Sequence, residues 1–99
     1  MSDEIQYFIA NDGQSIEANF HGRTIGQITF VRVGIDKMII DYTGVDENFR
    51  HRQIGLNLVR NVANLARSQG RHIITLCPFA GAMFARFPEF ADVRLLNAH

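Results

Sequence analysis

The apolar positions in the first half of the chain recur with a period of two. Between Ser15 and Phe20, the apolar residues Ile16, Ala18 and Phe20 alternate with polar ones, which is the pattern of a strand with one buried face. Three further runs are strand-like, at residues 7–10, 24–33 and 37–45. Turn signals separate the four runs at 11–13, 21–23 and Gly34. Short turns between consecutive strands predict an antiparallel meander.

The second half begins with a helical period instead. Apolar residues recur at the spacing of one helix face, at Ile54, Leu58, Val62, Leu65 and Ala66. Gly70 supplies a left-handed C-terminal stop. The apolar run 72–76 then predicts a buried strand, Pro78 ends it, and residues 79–87 can form a second, shorter helix. A strand, a helix and a strand predict a right-handed crossover, with the last strand parallel to 37–45.

These elements predict an α+β fold built on a mixed sheet. It contains a four-strand antiparallel meander, a crossover helix, a parallel fifth strand and a short C-terminal helix. No repeat, linker or low-complexity segment interrupts the 99 residues, so we expect residues 1–99 to form a single domain. An apolar fraction of 46% supports a packed core rather than disorder.

The lone cysteine, Cys77, excludes an intrachain disulfide and suits a reducing compartment. The acidic first residues lead directly into a strand-like run, without the pattern of a signal peptide, and no stretch approaches a membrane span. We therefore expect a cytoplasmic protein without a membrane partner. The spacing of the histidines relative to Cys77 matches no zinc site, so the sequence predicts no metal.

Charge is unevenly distributed although the net charge is zero. Eight of the ten acidic residues precede Asn48. The segment 48–88 contains no acidic residue and six arginines: Arg50, Arg52, Arg60, Arg67, Arg71 and Arg86. Such a segment can attract a polyanionic ligand, or it can be an ordinary solvent-exposed face.

The segment 45–55 joins the end of a strand to the start of a helix. The first N–H groups of a helix have no internal partners and favour an anion such as phosphate. Gly55 removes one side chain there, and Arg50 and Arg52 add positive charge. The P-loop pattern is absent, which disfavours nucleotide hydrolysis. The alternative is a helix start that carries a few arginines and binds nothing.

Four motifs, in order, resemble one family. Residues 50–55 look like the coenzyme A motif of the GNAT N-acetyltransferases, Arg/Gln-x-x-Gly-x-Gly/Ala. Thr43 and Val45 precede it, 77–80 (Cys-Pro-Phe-Ala) follows the next strand, and 88–93 (Pro-Glu-Phe-Ala-Asp-Val) comes late. Over residues 15–95 the chain resembles the short YjdJ-like branch of that superfamily.

The resemblance implies acetyl-coenzyme A as co-substrate and an amine as acceptor. Transfer is to a small molecule or a protein; the alternative is a module that binds or senses acyl-coenzyme A without catalysis. The implied coenzyme-binding residues are Thr43, Val45, Arg50, His51, Arg52, Gln53, Ile54, Gly55, Cys77 and Phe79. A nucleic-acid-binding domain that uses the arginine-rich helix is a further alternative, disfavoured because exposed aromatic residues are not interleaved with the arginines. The oligomeric state is not predicted.

The chain departs from the family pattern in its phosphate loop and at the general acid. Gln53 and His51 stand where the family has glycines, so the Gln53 side chain either crowds the pyrophosphate or donates a substitute hydrogen bond. Met83 and Phe84 stand where many relatives have a proton-donating tyrosine. The resemblance puts Cys77 beside the thioester. There it accepts the acyl group or acts as a base, or it is only a small buried apolar residue.

Overall fold

The computed structural model describes residues 4–95. The chain forms five strands and two α-helices in this order: β1 (Gln6–Ile9), β2 (Ser15–Phe20), β3 (Arg23–Val33), β4 (Lys37–Val45), α1 (Ile54–Gln69), β5 (His72–Thr75) and α2 (Pro78–Arg86). Two short 3₁₀ helices, Glu47–Arg52 and Pro88–Phe90, precede α1 and follow α2. The strands lie in the order β1-β2-β3-β4-β5, antiparallel up to β4, with β5 parallel to β4. The predicted meander, crossover and fold class are confirmed.

Local chemistry explains how the strands and α1 end. His21 and Gly22 both have positive φ, 52° and 80°, as the tight two-residue hairpin between β2 and β3 requires. Gly70 has φ 67°, and its N–H group donates to the carbonyl groups of Ala66 and Arg67. This left-handed cap is the helix end predicted for α1. The boundaries differ from the predicted ones by a residue or two, as at α2.

The core lies between α1 and one face of the sheet. Alternate residues of the strands point toward α1 and are almost completely buried, including Ile28, Phe30, Met38 and Ile40. Their partners on α1 repeat every three or four residues: Ile54, Leu58, Val59, Val62, Ala63 and Ala66. The strand residues that recur every two positions and the helix residues that recur about every 3.6 positions therefore form the two sides of one apolar core.

The last described segment, 88–95, is held against α1 and the outer edge of β5. Arg60 pairs with both carboxylate oxygens of Glu89 (2.9 and 3.0 Å), and Arg67 with both of Asp92 (2.7 and 2.9 Å). Phe90 and Val93 are buried beneath these pairs. The N–H of Ile73 also donates to the carbonyl group of Val93. We call this arrangement the arginine clasp.

The arginine clasp explains part of the uneven charge distribution. Arg60 and Arg67 are satisfied by the acidic residues that follow the acid-free segment. Arg71 donates to the carbonyl oxygens of Gly34 and Lys37. Half of the six arginines that suggested a polyanion site therefore stabilise the fold. Separately, each helix within residues 4–95 is too short or too polar to cross a membrane.

Candidate functional site

The parallel strands β4 and β5 separate where the predicted site lies. Their last pair is Ile40 with Thr75, and the N–H groups of Leu76 and Cys77 both converge on the carbonyl oxygen of Ile40 (2.9 and 3.2 Å). Beyond this point residues 41–45 of β4 pair only with β3, after an irregularity in register. One edge of β4 is therefore left without a strand partner.

A groove of about 690 Å³ opens along this edge. The end of β4 forms one wall, the start of α1 with the turn before it forms the second, and α2 forms the third. The lining residues are Tyr42, Thr43, Gly44, Val45, Arg50, His51, Gln53, Gly55, Leu56, Phe79, Met83, Arg86 and Phe87. None of them is acidic, and three carry basic side chains.

The start of α1 presents hydrogen-bond donors to the groove. The first backbone hydrogen bond across this start runs from the Asn57 N–H to the Gln53 carbonyl group, at 3.0 Å. Within residues 4–95, the N–H groups of Ile54, Gly55 and Leu56 donate to no protein acceptor. Three unpaired donors at the positive end of a 16-residue helix form a site suited to phosphate.

Gln53 connects the preceding 3₁₀ helix to α1 in a left-handed conformation, with φ 59° and ψ 25°. This conformation costs an ordinary L-residue roughly 1–2 kcal/mol and a glycine almost nothing. The family's glycine at this position therefore has a conformational reason that the sequence interpretation missed. The Gln53 side chain caps nothing and lines the groove.

Gly55 leaves room for an aromatic side chain. A Cβ atom built on Gly55 would lie 2.6 Å from Cζ of Phe79, so the aromatic ring packs directly on the glycine. Tyr42 lies over Gly44 in the same close manner. Each glycine leaves room for the tip of an aromatic ring at a wall of the groove.

Cys77 is almost completely buried, with 6% of its surface exposed, and it does not line the groove. It occupies the position just before α2, and Pro78 is the first residue of that helix. Its Sγ lies 3.4 Å from Oγ1 of Thr43, which does line the groove. Cys77 is therefore adjacent to the groove and separated from it by the Thr43 side chain.

The pKa of Cys77 is lowered from its ordinary value of 9.0. Burial acts to raise this pKa, but it is outweighed by hydrogen bonds from the Thr43 hydroxyl group and from the backbone N–H groups of Ala80, Phe79 and Thr43. Donors at a helix start stabilise a thiolate. These donors favour the thiolate form of Cys77 more than burial disfavours it.

The structure brings together seven of the ten residues that the sequence assigned to the coenzyme: Thr43, Val45, Arg50, His51, Gln53, Gly55 and Phe79. Cys77 lies behind them. The other two lie elsewhere: the Ile54 side chain is 1% exposed in the core, and the Arg52 guanidinium stands over the rings of Phe20 and Phe49, 5.9 and 5.4 Å from their centroids.

The groove also contains residues that the sequence interpretation did not assign. Met83, Arg86 and Phe87 follow Phe79 at intervals that return to one face of a helix, so the spacing of 79, 83, 86 and 87 was an available signal. Of the neighbours Asp41 and Tyr42, only Tyr42 lines the groove, since Asp41 accepts a hydrogen bond from Thr29.

The mixed sheet that opens beside a helix start matches known structures. The solution structure of a GCN5-like putative N-acetyltransferase from Staphylococcus aureus is 27% identical with a TM-score of 0.74, and the match covers 100% of this chain and 95% of that one. A Mycobacterium tuberculosis protein in complex with coenzyme A is 22% identical with a TM-score of 0.66, over 75% and 46% of the two chains.

A GNAT family acetyltransferase from Elizabethkingia anophelis with acetyl-coenzyme A bound is 19% identical with a TM-score of 0.57, over 62% of this chain and 40% of that chain. The match thus spans nearly all of the staphylococcal chain and less than half of the other two. No curated protein matches the sequence significantly.

This fold, a mixed sheet with four antiparallel strands and a parallel fifth, is that of the GNAT acetyltransferases. The family model described as GCN5-related N-acetyl-transferase matches residues 7–93. The chain belongs to that family.

Proposed function

We propose that this protein transfers an acetyl group from acetyl-coenzyme A to an amine of a small molecule or protein. The observation that carries the proposal is the meeting, in one groove, of the unpaired N–H groups of α1 and the unpaired edge of β4. A phosphate group and an extended amide chain would each find suitable partners there. Coenzyme A contains both. Relatives of the same fold have been solved with coenzyme A or acetyl-coenzyme A.

In the proposed complex the pyrophosphate accepts hydrogen bonds from the N–H groups of Ile54, Gly55 and Leu56. Arg50 and His51 lie beside it. The pantetheine arm follows residues 41–45 and brings the thioester toward Thr43. Backbone N–H groups on this edge polarise the thioester carbonyl group, which is the principal requirement for direct attack by an amine.

The transfer forms one bond and breaks one. The amine nitrogen bonds to the carbonyl carbon, the carbon–sulfur bond breaks, and the coenzyme leaves as a thiolate. The amine loses a proton to the Thr43 hydroxyl group, which passes its own proton to Cys77 when that residue is in its thiolate form; Cys77 Sγ and Thr43 Oγ1 lie 3.4 Å apart. Because Cys77 lies behind Thr43, proton acceptance suits its position better than carrying the acyl group. We therefore expect Cys77→Ala to bind coenzyme and to retain slow transfer.

Calorimetry with acetyl-coenzyme A tests the binding site. Arg50→Ala should weaken binding by about tenfold, equivalent to about 1.4 kcal/mol, because it removes a charge from the groove. Arg94→Ala removes the same charge at an exposed position outside the groove and should bind like the wild type. Arg52→Ala should lose less affinity than Arg50→Ala, since its guanidinium stands over two aromatic rings. Equal affinity of the folded Arg50→Ala protein and the wild type would contradict the phosphate assignment.

A transfer assay separates the enzyme from a binding module. Mass spectrometry of a panel of amines and peptides, incubated with the protein and acetyl-coenzyme A, should detect an acetylated product. Tight binding of the coenzyme without transfer to any acceptor would favour the binding module instead.

A further inference from the structure

Arg86 is the basic residue of the groove that the proposed function leaves without a role. It lies in the last turn of α2 and lines the same groove as Arg50 and His51. Within residues 4–95 its side chain makes no hydrogen bond or salt bridge, in contrast to Arg60 and Arg67 of the clasp. An arginine in an acid-free groove without a protein acceptor is available to an anionic ligand.

Arg86 lies at the far end of α2 from the residue of that helix that contacts the start of α1. Phe79 marks that start, since its ring packs on Gly55, and Arg86 follows seven residues later. At 1.5 Å per residue this is about 10 Å along the helix. A ligand with phosphate groups at Gly55 and a second anionic group displaced from them could therefore contact Arg86 as well.

The side chains around Arg86 would fit a nucleoside. Its guanidinium carbon stands 5.1 Å from the centroid of the Phe87 ring, a stacking contact that leaves the N–H groups at the edge of the guanidinium free to donate. Met83 and Phe87 add apolar surface on the same wall. A flat base beside a charged phosphate would be bound by this combination.

We infer that Arg86 binds the 3′-phosphate of the coenzyme and makes the groove selective for coenzyme A over its 3′-dephospho form. This rests on the proposed function and adds a donor specificity to it. Coenzyme A carries two separated anionic groups, the pyrophosphate and the phosphate on the ribose 3′ oxygen. The first lies at the start of α1 and the second at the end of α2. The 3′-phosphate carries nearly two negative charges at neutral pH and accepts two parallel hydrogen bonds from a guanidinium.

Calorimetry with coenzyme A and 3′-dephospho-coenzyme A tests the assignment. The wild type should bind coenzyme A at least about tenfold more tightly than the dephospho form. Arg86→Gln should bring the two affinities to within about twofold, by weakening only coenzyme A. Arg50→Gln should weaken both ligands and preserve their ratio. Arg94→Gln, which removes an exposed charge outside the groove, should leave both affinities and their ratio unchanged.

The outcomes against the inference are distinct from those against the proposed function. Equal binding of the two ligands by the wild type, or an unchanged ratio in folded Arg86→Gln, would overturn the 3′-phosphate assignment and leave acetyl-coenzyme A as the donor. Failure of the wild type to bind either ligand would overturn both. A circular dichroism melt of each variant ensures that a lost affinity is not a lost fold.

Discussion

The acidity of Cys77 is set by its immediate neighbours at the residue scale. Burial alone would raise the pKa of this thiol, and the donors of Thr43 and of the first turn of α2 reverse the direction. The same cysteine in the middle of a strand would lack those N–H groups. The position just before a helix therefore makes a buried, apolar-looking residue into a candidate proton acceptor.

Thr43→Val should raise the pKa of Cys77 above its wild-type value, because valine keeps the shape of threonine but removes the hydroxyl donor. Transfer at neutral pH should then fall, and raising the pH should restore it only in part, because valine also removes the hydroxyl group through which the proton passes. Since Cys77 is the only cysteine, a ¹³C-cysteine NMR titration measures this pKa directly. Thr43→Ser retains the hydroxyl group and is the matched control. An unchanged pKa in Thr43→Val would show that the Thr43 hydroxyl group does not set the acidity of Cys77.

Gln53→Gly should stabilise the fold by about 0.5–1 kcal/mol. The left-handed conformation costs glutamine roughly 1–2 kcal/mol, and the added flexibility of glycine in the unfolded chain returns part of the gain. Urea unfolding measures the difference. Gln53→Ala is the control, because alanine keeps the positive φ without the freedom of glycine and should not be stabilised.

The same two variants test whether the Gln53 side chain weakens or strengthens binding of acetyl-coenzyme A. If the side chain crowds the pyrophosphate, as we expect, both variants should bind acetyl-coenzyme A more tightly. If the amide donates a hydrogen bond, both should bind more weakly. A gain for glycine alone would attribute the effect to the backbone.

At the scale of elements, the arginine clasp ties the segment after α2 to α1. The pKa values of Glu89 and Asp92 are lowered by their arginine partners, from ordinary values of 4.5 and 3.8. A carboxylate with a lowered pKa in the folded state stabilises the fold above its ordinary pKa. This contribution is lost as the pH falls through the lowered pKa.

The double variant Glu89→Gln/Asp92→Asn should therefore be less stable than the wild type at neutral pH. The difference should shrink as the pH falls below about 4, where the wild type also loses the clasp. Urea unfolding at a series of pH values measures it, and high salt should reduce it because the pairs are partly exposed. Glu47→Gln, at a residue without a salt bridge within residues 4–95, should show no such pH dependence. A difference that persists at acidic pH would mean that the variant acts through packing rather than charge.

Strands and helices were predictable because their causes are local. A period of two, a period of 3.6 and a glycine after the last helical turn are all visible within about fifteen residues of sequence. The partners of Arg60 and Arg67 were not, since they lie more than twenty residues away. The reason for Gly55 was hidden similarly, because Phe79 reaches it only after the crossover. The order of the motifs in the sequence indicated that a groove lies here. Which residues line that groove became clear only from their contacts in the structure.

At the scale of the whole molecule, the sheet combines two kinds of connection. β1 to β4 are joined by short hairpins, so their pairings are local and should form early. The β4–β5 pairing closes only across α1, and it ends after Ile40. The groove exists because this one non-local pairing stops before β4 does.

The interrupted pairing also distinguishes the free edge of β4 from the outer edges of the sheet. An unpaired strand edge normally invites a strand from another chain. The outer edge of β5 is partly covered, because Ile73 pairs with the segment of Val93 and Leu95. The free edge of β4 is instead recessed between α1 and α2. A strand added at this edge would lie about 4.8 Å from β4, and it would have to enter the groove that α1 and α2 border. Because this edge lies inside the sheet rather than at its rim, it is open to a ligand in the groove and less open to a strand of another chain.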